Sequence, residues 1–301
     1  MQTTSSHPTW LIGVDGGGTG TRAVLADANG RVLGHGRAGP SALGQGVAKA
    51  WTQIETAVQQ AFADAGHARP AAAECALSCG LSGASYAPWR DTFIATNPGY
   101  GQLILESDAF AMLLGAHDAE PGAIVASGTG AVGEALHADG RRLRASGWGF
   151  PVGDEGSGAW LGLKAMGHAQ CVMDGRAEPG ALATRIFAMC GDDRATLQDW
   201  CNRSAQFGYA QLAPLVFDEE MRDGRAARLI EQAVDALVSL AGAIDPGATL
   251  PLCVTGSIGE RLAPRMPEAI RQRIRPPRHD AATGALAWLE RNLQSAATRP
   301  V

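Results

Sequence analysis

The sequence predicts an α/β protein of two domains, each with a β-β-β-α-β-α-β core. An apolar run at 10–14 is followed by a glycine turn, a second apolar run at 23–26 and Asn29-Gly30, a strong signal for a two-residue hairpin. Residues 122–137 repeat this plan, with a Gly/Thr turn between two strands. In both halves the opening strands are followed by segments in which apolar residues have helical spacing.

The remaining elements follow in order from the same patterns. The first half is predicted to hold strands at 10–14, 23–26, 32–36, 74–81 and 102–105, with helices at 47–65, 86–96 and 109–117. The second half is predicted to hold strands at 122–126, 131–137, 141–146 and 250–255, with helices at 157–170, 178–189, 194–204, 222–243, 259–272 and 280–293. This order is typical of a duplicated ribonuclease-H-like fold around a central nucleotide cleft. We expect one lobe at 1–118 plus a C-terminal helix at about 280–301, and a second lobe at 119–279 with the nucleotide side.

The composition is that of an ordinary globular protein. Of 301 residues, 46% are hydrophobic and 18% are charged, and the net charge is −5. No basic patch favours nucleic acid or an anionic membrane as a partner, and no apolar run reaches the ~18–20 residues that span a bilayer. The polar residues 1–8 lack the apolar core of a signal peptide. Six scattered cysteines then predict reduced thiols and a cytoplasmic protein.

The glycine turns predict a phosphate site of an unusual kind. In Rossmann turns and P-loops the glycines lead into a helix that holds the phosphate, whereas here they lead into a second strand. The sequence has no Gly-Lys-Ser/Thr, which excludes a Walker-type site. Backbone N–H groups of the turn would therefore hold the phosphate. Asp15, at the tip of the first strand, is placed to hold a metal ion against it.

These turns resemble the motifs of a known superfamily. Asp15-Gly-Gly-Gly-Thr19 resembles the first phosphate motif of the actin, sugar kinase and heat-shock chaperone superfamily, and Ser127-Gly-Thr-Gly130 resembles the second. Gly147-Trp-Gly149 and Gly153-Asp-Glu-Gly-Ser-Gly158 are similar to the BadF/BadG-type ATPase branch, which contains N-acetylglucosamine kinases and bacterial glucosamine kinases. Residues 255–261 and 280–286 resemble the adenosine-side and closing motifs of the glucosamine kinases, so the resemblance covers nearly the whole chain.

The resemblance implies an ATP-dependent kinase that phosphorylates the 6-hydroxyl of an amino sugar, glucosamine or N-acetylglucosamine, with actin-like ATPase lobes and Mg²⁺. It allows a homodimer. It implies contacts with ATP and its phosphates for Gly16, Gly17, Gly18, Thr19, Gly128, Thr129, Gly130, Gly256 and Ser257. It implies contacts with the sugar for Thr129, Gly147, Trp148 and Asp154, a Mg²⁺ held through water for Asp15, and the catalytic role for Asp108.

Other hypotheses compete with this assignment. Asp108 and Asp154 precede predicted helices, where Asp often serves as the N-cap, and Trp148 fits a buried core position as well as a sugar wall. Ala42 stands where relatives usually have an asparagine that hydrogen-bonds the sugar, which leaves the acceptor sugar open. The same branch includes ATPase activators of radical dehydratases or reductases, which share an iron–sulfur cluster across a dimer, but no cysteine adjoins the Gly128 turn. A sugar-sensing regulator without catalysis is a third hypothesis.

Overall fold

A computed structural model describes residues 8–297 and divides the chain into two units. The first unit runs to Pro121 and resumes at Pro276, and the second unit is Gly122–Arg275. Each unit contains one mixed β-sheet with helices packed against it. The predicted fold class is thereby confirmed. The polar start at 1–7 and the last four residues of the expected C-terminal helix, 298–301, lie outside the described residues.

The helices and strands have the following bounds. The first unit contains β1 (Trp10–Gly16), β2 (Thr21–Asp27), β3 (Val32–Ala38), α1 (Val47–Asp64), β4 (Cys75–Leu81), α2 (Ala87–Ala95), β5 (Gln102–Ser107) and α3 (Asp108–His117). The second unit contains β6 (Gly122–Ser127), β7 (Ala131–Leu136), β8 (Arg142–Ser146), α4 (Gly158–Met173), α5 (Ala181–Cys190), α6 (Arg194–Arg203), α7 (Gln206–Ala210), α8 (Ala213–Asp218), α9 (Gly224–Ile244), β9 (Leu252–Thr255), α10 (Ser257–Leu262) and α11 (Glu268–Arg271). The chain returns to the first unit as α12 (Ala281–Ala297).

The sheet of the first unit has the strand order β3-β2-β1-β4-β5. β1, β2 and β3 pair antiparallel, as the hairpin signals predict, whereas β4 and β5 run parallel to β1. In this register Gly16 lies beside Leu81, and Leu81 lies beside Ser107. The carboxyl ends of β1, β4 and β5 therefore meet at one edge of the sheet, which brings the first glycine turn and the start of α3 together.

Glycines let helices approach both faces of this sheet closely. A Cβ atom on Gly36 of β3 would overlap the carbonyl oxygen of Ala57 in α1, and one on Gly13 of β1 would overlap that of Ala282 in α12. Alternate residues of β1 serve the two faces, since Ile12 packs under α1 and Leu11 packs under α12. The sheet is thus covered on both faces, as parallel strands require.

The sheet of the second unit has the order β8-β7-β6-β9, with β6 and β9 parallel and the other pairs antiparallel. Within Gly122–Arg275 it has the four strands predicted for this half, one fewer than the five of a full β-β-β-α-β-α-β core. Beside β9, Ile274 forms a single parallel bridge to Leu252. The backbone N–H of Arg275 donates to the carbonyl of Leu252 at 2.8 Å. This single bridge lies beside β9, at the position of a fifth strand, but it does not continue into a strand.

Proline ends one predicted helix early. The sequence predicts a helix over 259–272, but α10 ends at Leu262 and α11 begins at Glu268. Pro264 and Pro267 lie between them. Proline lacks an N–H and disfavours helical backbone in the residue before it, so an unbroken helix cannot pass this segment. The short helices α7 and α8 fall between predicted elements. Within residues 8–297, no helix combines the length and the apolarity needed to cross a membrane.

Candidate active site

The first glycine turn, Gly16–Gly20, links β1 and β2. The N–H of Gly17 donates to the carbonyl of Gly20 at 3.0 Å, which closes the turn. Gly18 and Thr19 are exposed, and nothing lies within 4 Å of the position a Cβ on Gly17 would take. The tip of the turn can therefore be approached from solvent at the level of its backbone, as a phosphate-binding turn requires.

The segment after β3 supports this turn from behind. The N–H groups of Ser41 and Ala42 both donate to the carbonyl of Gly17 at 3.1 Å. The side-chain amide of Gln45 donates to the carbonyl of Gly18 at 3.2 Å. Ala42 thus contributes through its backbone, a role that does not depend on its side chain. Its methyl group cannot replace the hydrogen bonds of an asparagine.

Asp15 lies just before the turn, in a group of carboxylates. Removal from solvent is the main cause that raises the pKa of Asp15 to about 6; the carboxylates of Asp108 and Asp280 contribute to the rise, and Arg22 opposes it. Such a cluster favours a bound cation. Within residues 8–297, no three His, Cys, Asp or Glu side chains are close enough to hold a metal by themselves. The donor set fits Mg²⁺, which commonly takes one or two carboxylates and completes its shell with water and substrate phosphates.

Asp108 is the first residue of α3, and Ser107 is the N-cap. The hydroxyl of Ser107 accepts a hydrogen bond from the N–H of Phe110 at 3.1 Å, the bond expected of a cap. The Oδ1 atom of Asp108 accepts from the N–H of Ala109 at 2.9 Å. Capping therefore does not account for Asp108. It lies at the sheet edge, close enough to Asp15 to raise the pKa of that carboxyl.

The second turn, Gly128–Gly130, is built like the first. The N–H of Gly128 donates to the carbonyl of Gly130 at 2.9 Å. The carbonyls of Gly128 and Thr129 accept from the N–H groups of Gly158 and Ala159, the first two residues of α4, at 2.8 and 3.2 Å. These two carbonyls face α4. The exposed Thr129 side chain and the outer backbone of the turn are therefore accessible to a ligand.

The loop between β9 and α10 packs directly against the second turn. Gly256 has a φ of +87°, and a Cβ there would overlap the carbonyl oxygen of Ser127. Only glycine suits this position, because the backbone is left-handed and the neighbour is backbone. Ser257, which begins α10, is exposed beside it. The structure thus brings Gly256 and the Gly128 turn together.

Trp148 and Asp154 occupy opposite environments in the loop between β8 and α4. The Trp148 side chain is 89% exposed, so it is not a core residue. Asp154 is buried, and its carboxylate accepts from the N–H of Gly149 at 3.1 Å and from the side chain of Gln206 at 3.0 Å. Burial raises the pKa of Asp154, and the bonds from Gly149 and Gln206 oppose that rise.

The structure therefore places the predicted residues in two groups, one in each unit. The first unit holds Asp15, Gly16, Gly17, Gly18, Thr19 and Asp108, and the second holds Gly128, Thr129, Gly130, Gly147, Trp148, Asp154, Gly256 and Ser257. Sequence reasoning missed the electrostatic role of Asp280, although the motif beginning there was a signal. It also missed Gln206, which lies outside every motif and gave no signal.

Residues 12–288 match the model of the BadF/BadG/BcrA/BcrD ATPase family. The chain belongs to this family. The glucosamine kinase GspK of Vibrio cholerae is 28% identical over 280 residues, which are 93% of this chain and 95% of that protein. A solved structure from Chromobacterium violaceum, assigned as an N-acetylglucosamine kinase, has 41% identity and a TM-score of 0.86, with 94% of this chain and 99% of that chain covered.

An activator of 2-hydroxyisocaproyl-CoA dehydratase from Clostridium difficile, solved with bound ADPNP, shares the fold. Its TM-score is 0.51 at 13% identity, with 97% of this chain and 99% of that chain covered. At this identity the likeness concerns the fold alone. The predicted family is confirmed, and its sugar kinase members are more similar to this chain than this activator is.

Proposed function

We propose that this chain is an ATP-dependent kinase that transfers a phosphoryl group to the 6-hydroxyl of an amino sugar. The observation that carries the proposal is that Asp15 and Asp108 lie at one sheet edge, close enough for Asp108 to raise the pKa of Asp15, while Ser107 acts as the cap. For phosphoryl transfer, one carboxylate can hold the metal ion and a second can orient the attacking hydroxyl and accept its proton. The similarity to the glucosamine kinase and to the assigned N-acetylglucosamine kinase supports the same conclusion.

The nucleotide would be held mainly by backbone. The two glycine turns offer N–H groups to phosphate oxygens, and Gly256 and Ser257 form the adenosine side. Mg²⁺, held through water by Asp15, would neutralise charge on the phosphates. The raised pKa of Asp15 supports this role, because a bound cation relieves the cost of ionising that side chain.

Asp108 would act as the general base. The bond from the γ-phosphorus to the sugar oxygen forms, the bond from that phosphorus to the leaving oxygen of ADP breaks, and the hydroxyl proton passes to the Asp108 carboxylate. A base positioned in this way typically contributes ~10²–10⁴-fold to the rate. Trp148 offers an exposed aromatic wall for the sugar, and Asp154 holds the loop that carries it.

The test is ADP release measured with glucosamine, N-acetylglucosamine and glucose as acceptors. We expect acceptor-dependent turnover with an amino sugar and a small preference for glucosamine, because Ala42 removes one partner for a larger acceptor. Phosphorus-coupled NMR of the product would identify the phosphorylated carbon. A protein that binds ATP but releases ADP at the same rate with and without every acceptor would refute the proposal.

The alternative, an activator with an iron–sulfur cluster, predicts a different measurement. Such a protein needs thiolates that can ligate iron. Cys75, Cys79, Cys190 and Cys253 are buried, and burial raises the pKa of Cys75 and Cys253 to about 11. We therefore expect iron reconstitution to leave the protein colourless. A stable brown protein with stoichiometric iron would support the activator instead.

A further inference from the structure

An open pocket of about 890 Å³ in the second unit lies where α4 meets the starts of α5 and α9. Its lining includes Lys164 and His168 of α4, Arg222 just before α9, and Arg225 and Arg228 within α9. The chain as a whole carries a net charge of −5, so the Lys and Arg side chains gathered here run against its overall charge. None of these residues belongs to the candidate active site.

Two helices supply most of these side chains, and the Nζ atom of Lys164 lies 5.6 Å from the centre of the Trp160 ring. Lys164 and His168 are four residues apart on α4, and Arg225 and Arg228 are three apart on α9, so each pair shares a helix face. Asp223 joins the starts of two helices, because its carboxylate accepts from the N–H of Arg225 at 2.8 Å and from the N–H of Leu182 in α5 at 2.9 Å. Both of its oxygens are therefore occupied by backbone.

In the part of the chain from 8 to 297, no carboxylate forms an ion pair with Lys164, Arg222, Arg225 or Arg228. The Nε atom of Arg225 is buried and has no hydrogen-bond partner there. A buried guanidinium N–H without an acceptor is costly, so a native structure usually satisfies it.

The charges that line the pocket also act on His168. Burial lowers the pKa of His168, and Arg225 and Arg228 lower it further, while Asp223 opposes them. The lining contains one other carboxylate, Glu178, and one other guanidinium, Arg176, which is paired with Asp174 at 2.9 Å. The balance of charge in the pocket therefore remains cationic.

We propose that this pocket binds the phosphate group of a small phosphate monoester, at a site separate from the glycine turns. A dianion matches several convergent cations, arginine forks fit phosphate oxygens in pairs, and the Nε atom of Arg225 gains an acceptor. The volume suits a sugar phosphate or a nucleoside monophosphate. Lys164 and His168 lie about 9–15 Å along α4 from Gly158, which contacts the second turn. The inference goes beyond the proposed kinase activity and does not depend on it.

The test is isothermal titration of the full chain with inorganic phosphate, glucosamine 6-phosphate and adenosine monophosphate at matched ionic strength. Each is titrated with and without a saturating non-hydrolysable ATP analogue. We expect one-to-one binding that the analogue does not displace. Equal affinities would identify phosphate alone as the determinant, whereas a tighter sugar phosphate or nucleotide would identify the source of the ligand.

Variants distinguish this pocket from the candidate active site. Arg225→Gln and Arg228→Gln should each weaken binding by about tenfold or more, since each removes a charge-assisted hydrogen bond. Arg203→Gln, an equal charge change at an exposed position on α6, should leave binding unchanged. Arg228 is exposed, so its variant is expected to fold even if that of the partly buried Arg225 does not.

Three results would overturn the proposal. They are no binding of any of the three compounds at millimolar concentration, complete displacement by the ATP analogue, and equal affinity in the wild type and Arg228→Gln. Kinase turnover is measured separately, and a folded Arg228→Gln that turns over normally separates failure of this proposal from failure of the proposed function.

Discussion

Replacing Asp15 with Asn should stabilise the protein without ligand while abolishing its activity. Removal from solvent, reinforced by Asp108 and Asp280, raises the pKa of Asp15 from 3.8 to about 6 despite Arg22. The folded state therefore holds the Asp15 proton more tightly than the unfolded state does. Ionisation then favours unfolding, and the penalty grows as the pH rises from about 4 to about 6 and stays constant above that. Asn carries no charge and escapes the penalty.

The magnitude follows from the size of the shift. A rise of about two units corresponds to about 3 kcal/mol at most, at 1.36 kcal/mol per unit. This shift already includes the attraction of Arg22, so the expected gain is about 1–3 kcal/mol at about pH 8 and roughly half of that near pH 5. For a domain of this size, each kcal/mol raises Tm by about 2–4 °C.

The assay is thermal unfolding of wild type and Asp15→Asn, with a chelator present, at both pH values. Glu120→Gln is the control, because it makes the same charge change at an exposed site of the same unit. Mg²⁺ with a non-hydrolysable ATP analogue should then raise the Tm of the wild type more than that of the variant, since a ligand stabilises the state that binds it. A variant less stable than wild type at pH 8, or a gain that does not shrink at pH 5, would refute the reasoning.

Three further predictions follow from the same contacts. Asp108→Asn should lower kcat by ~10²–10⁴-fold with little change in ATP affinity. Ser107→Ala should instead cost about 1 kcal/mol of stability, because the helix cap is lost, and should leave most of kcat. Near wild-type turnover by Asp108→Asn would exclude Asp108 as the base. Gly128→Val should abolish ATP binding in a folded protein, as titration would show, because a branched side chain would occupy the space of a phosphate; unchanged affinity would remove this turn from the site. Gly36→Ala should destabilise by about 1–3 kcal/mol in chemical denaturation, because its Cβ overlaps the carbonyl of Ala57, while Gly242→Ala, with nothing within 4 Å, should stabilise by up to about 1 kcal/mol.

The elements that the sequence predicts well are those set by local pattern. The hairpin of β1 and β2 follows from two apolar runs and a glycine turn, and each strand of the first sheet lies where an apolar run predicts it. The split between α10 and α11 was also readable locally, because Pro264 and Pro267 are strong helix breakers. The prediction of a single helix over 259–272 used apolar spacing alone and ignored these prolines.

The features that escaped prediction depend on distant parts of the chain. Gln206 reaches Asp154 across 52 positions, and no motif marks it. The pocket beside α4 arises because Lys164 and Arg228 belong to helices that meet only in the folded unit. In the sequence both are ordinary surface charges. The single bridge at Ile274 likewise depends on where β9 places its free edge.

The structure gives Asp108 and Asp154 different surroundings. Asp108 and Asp154 both stand just before or at the start of a helix and both match family motifs, yet the helix caps are Ser107 and Ser157. Asp154 is buried with both carboxylate oxygens bonded to its own unit, to Gly149 and to Gln206. A carboxylate bonded in this way is suited to hold the loop between β8 and α4 in place. Asp108 lies instead at the sheet edge with Asp15, where a cation and a hydroxyl would meet a carboxylate. The burial and bonding of each carboxylate thus support the proposed base role of Asp108 and a loop-holding role for Asp154, whose predicted contact with the sugar stays a prediction.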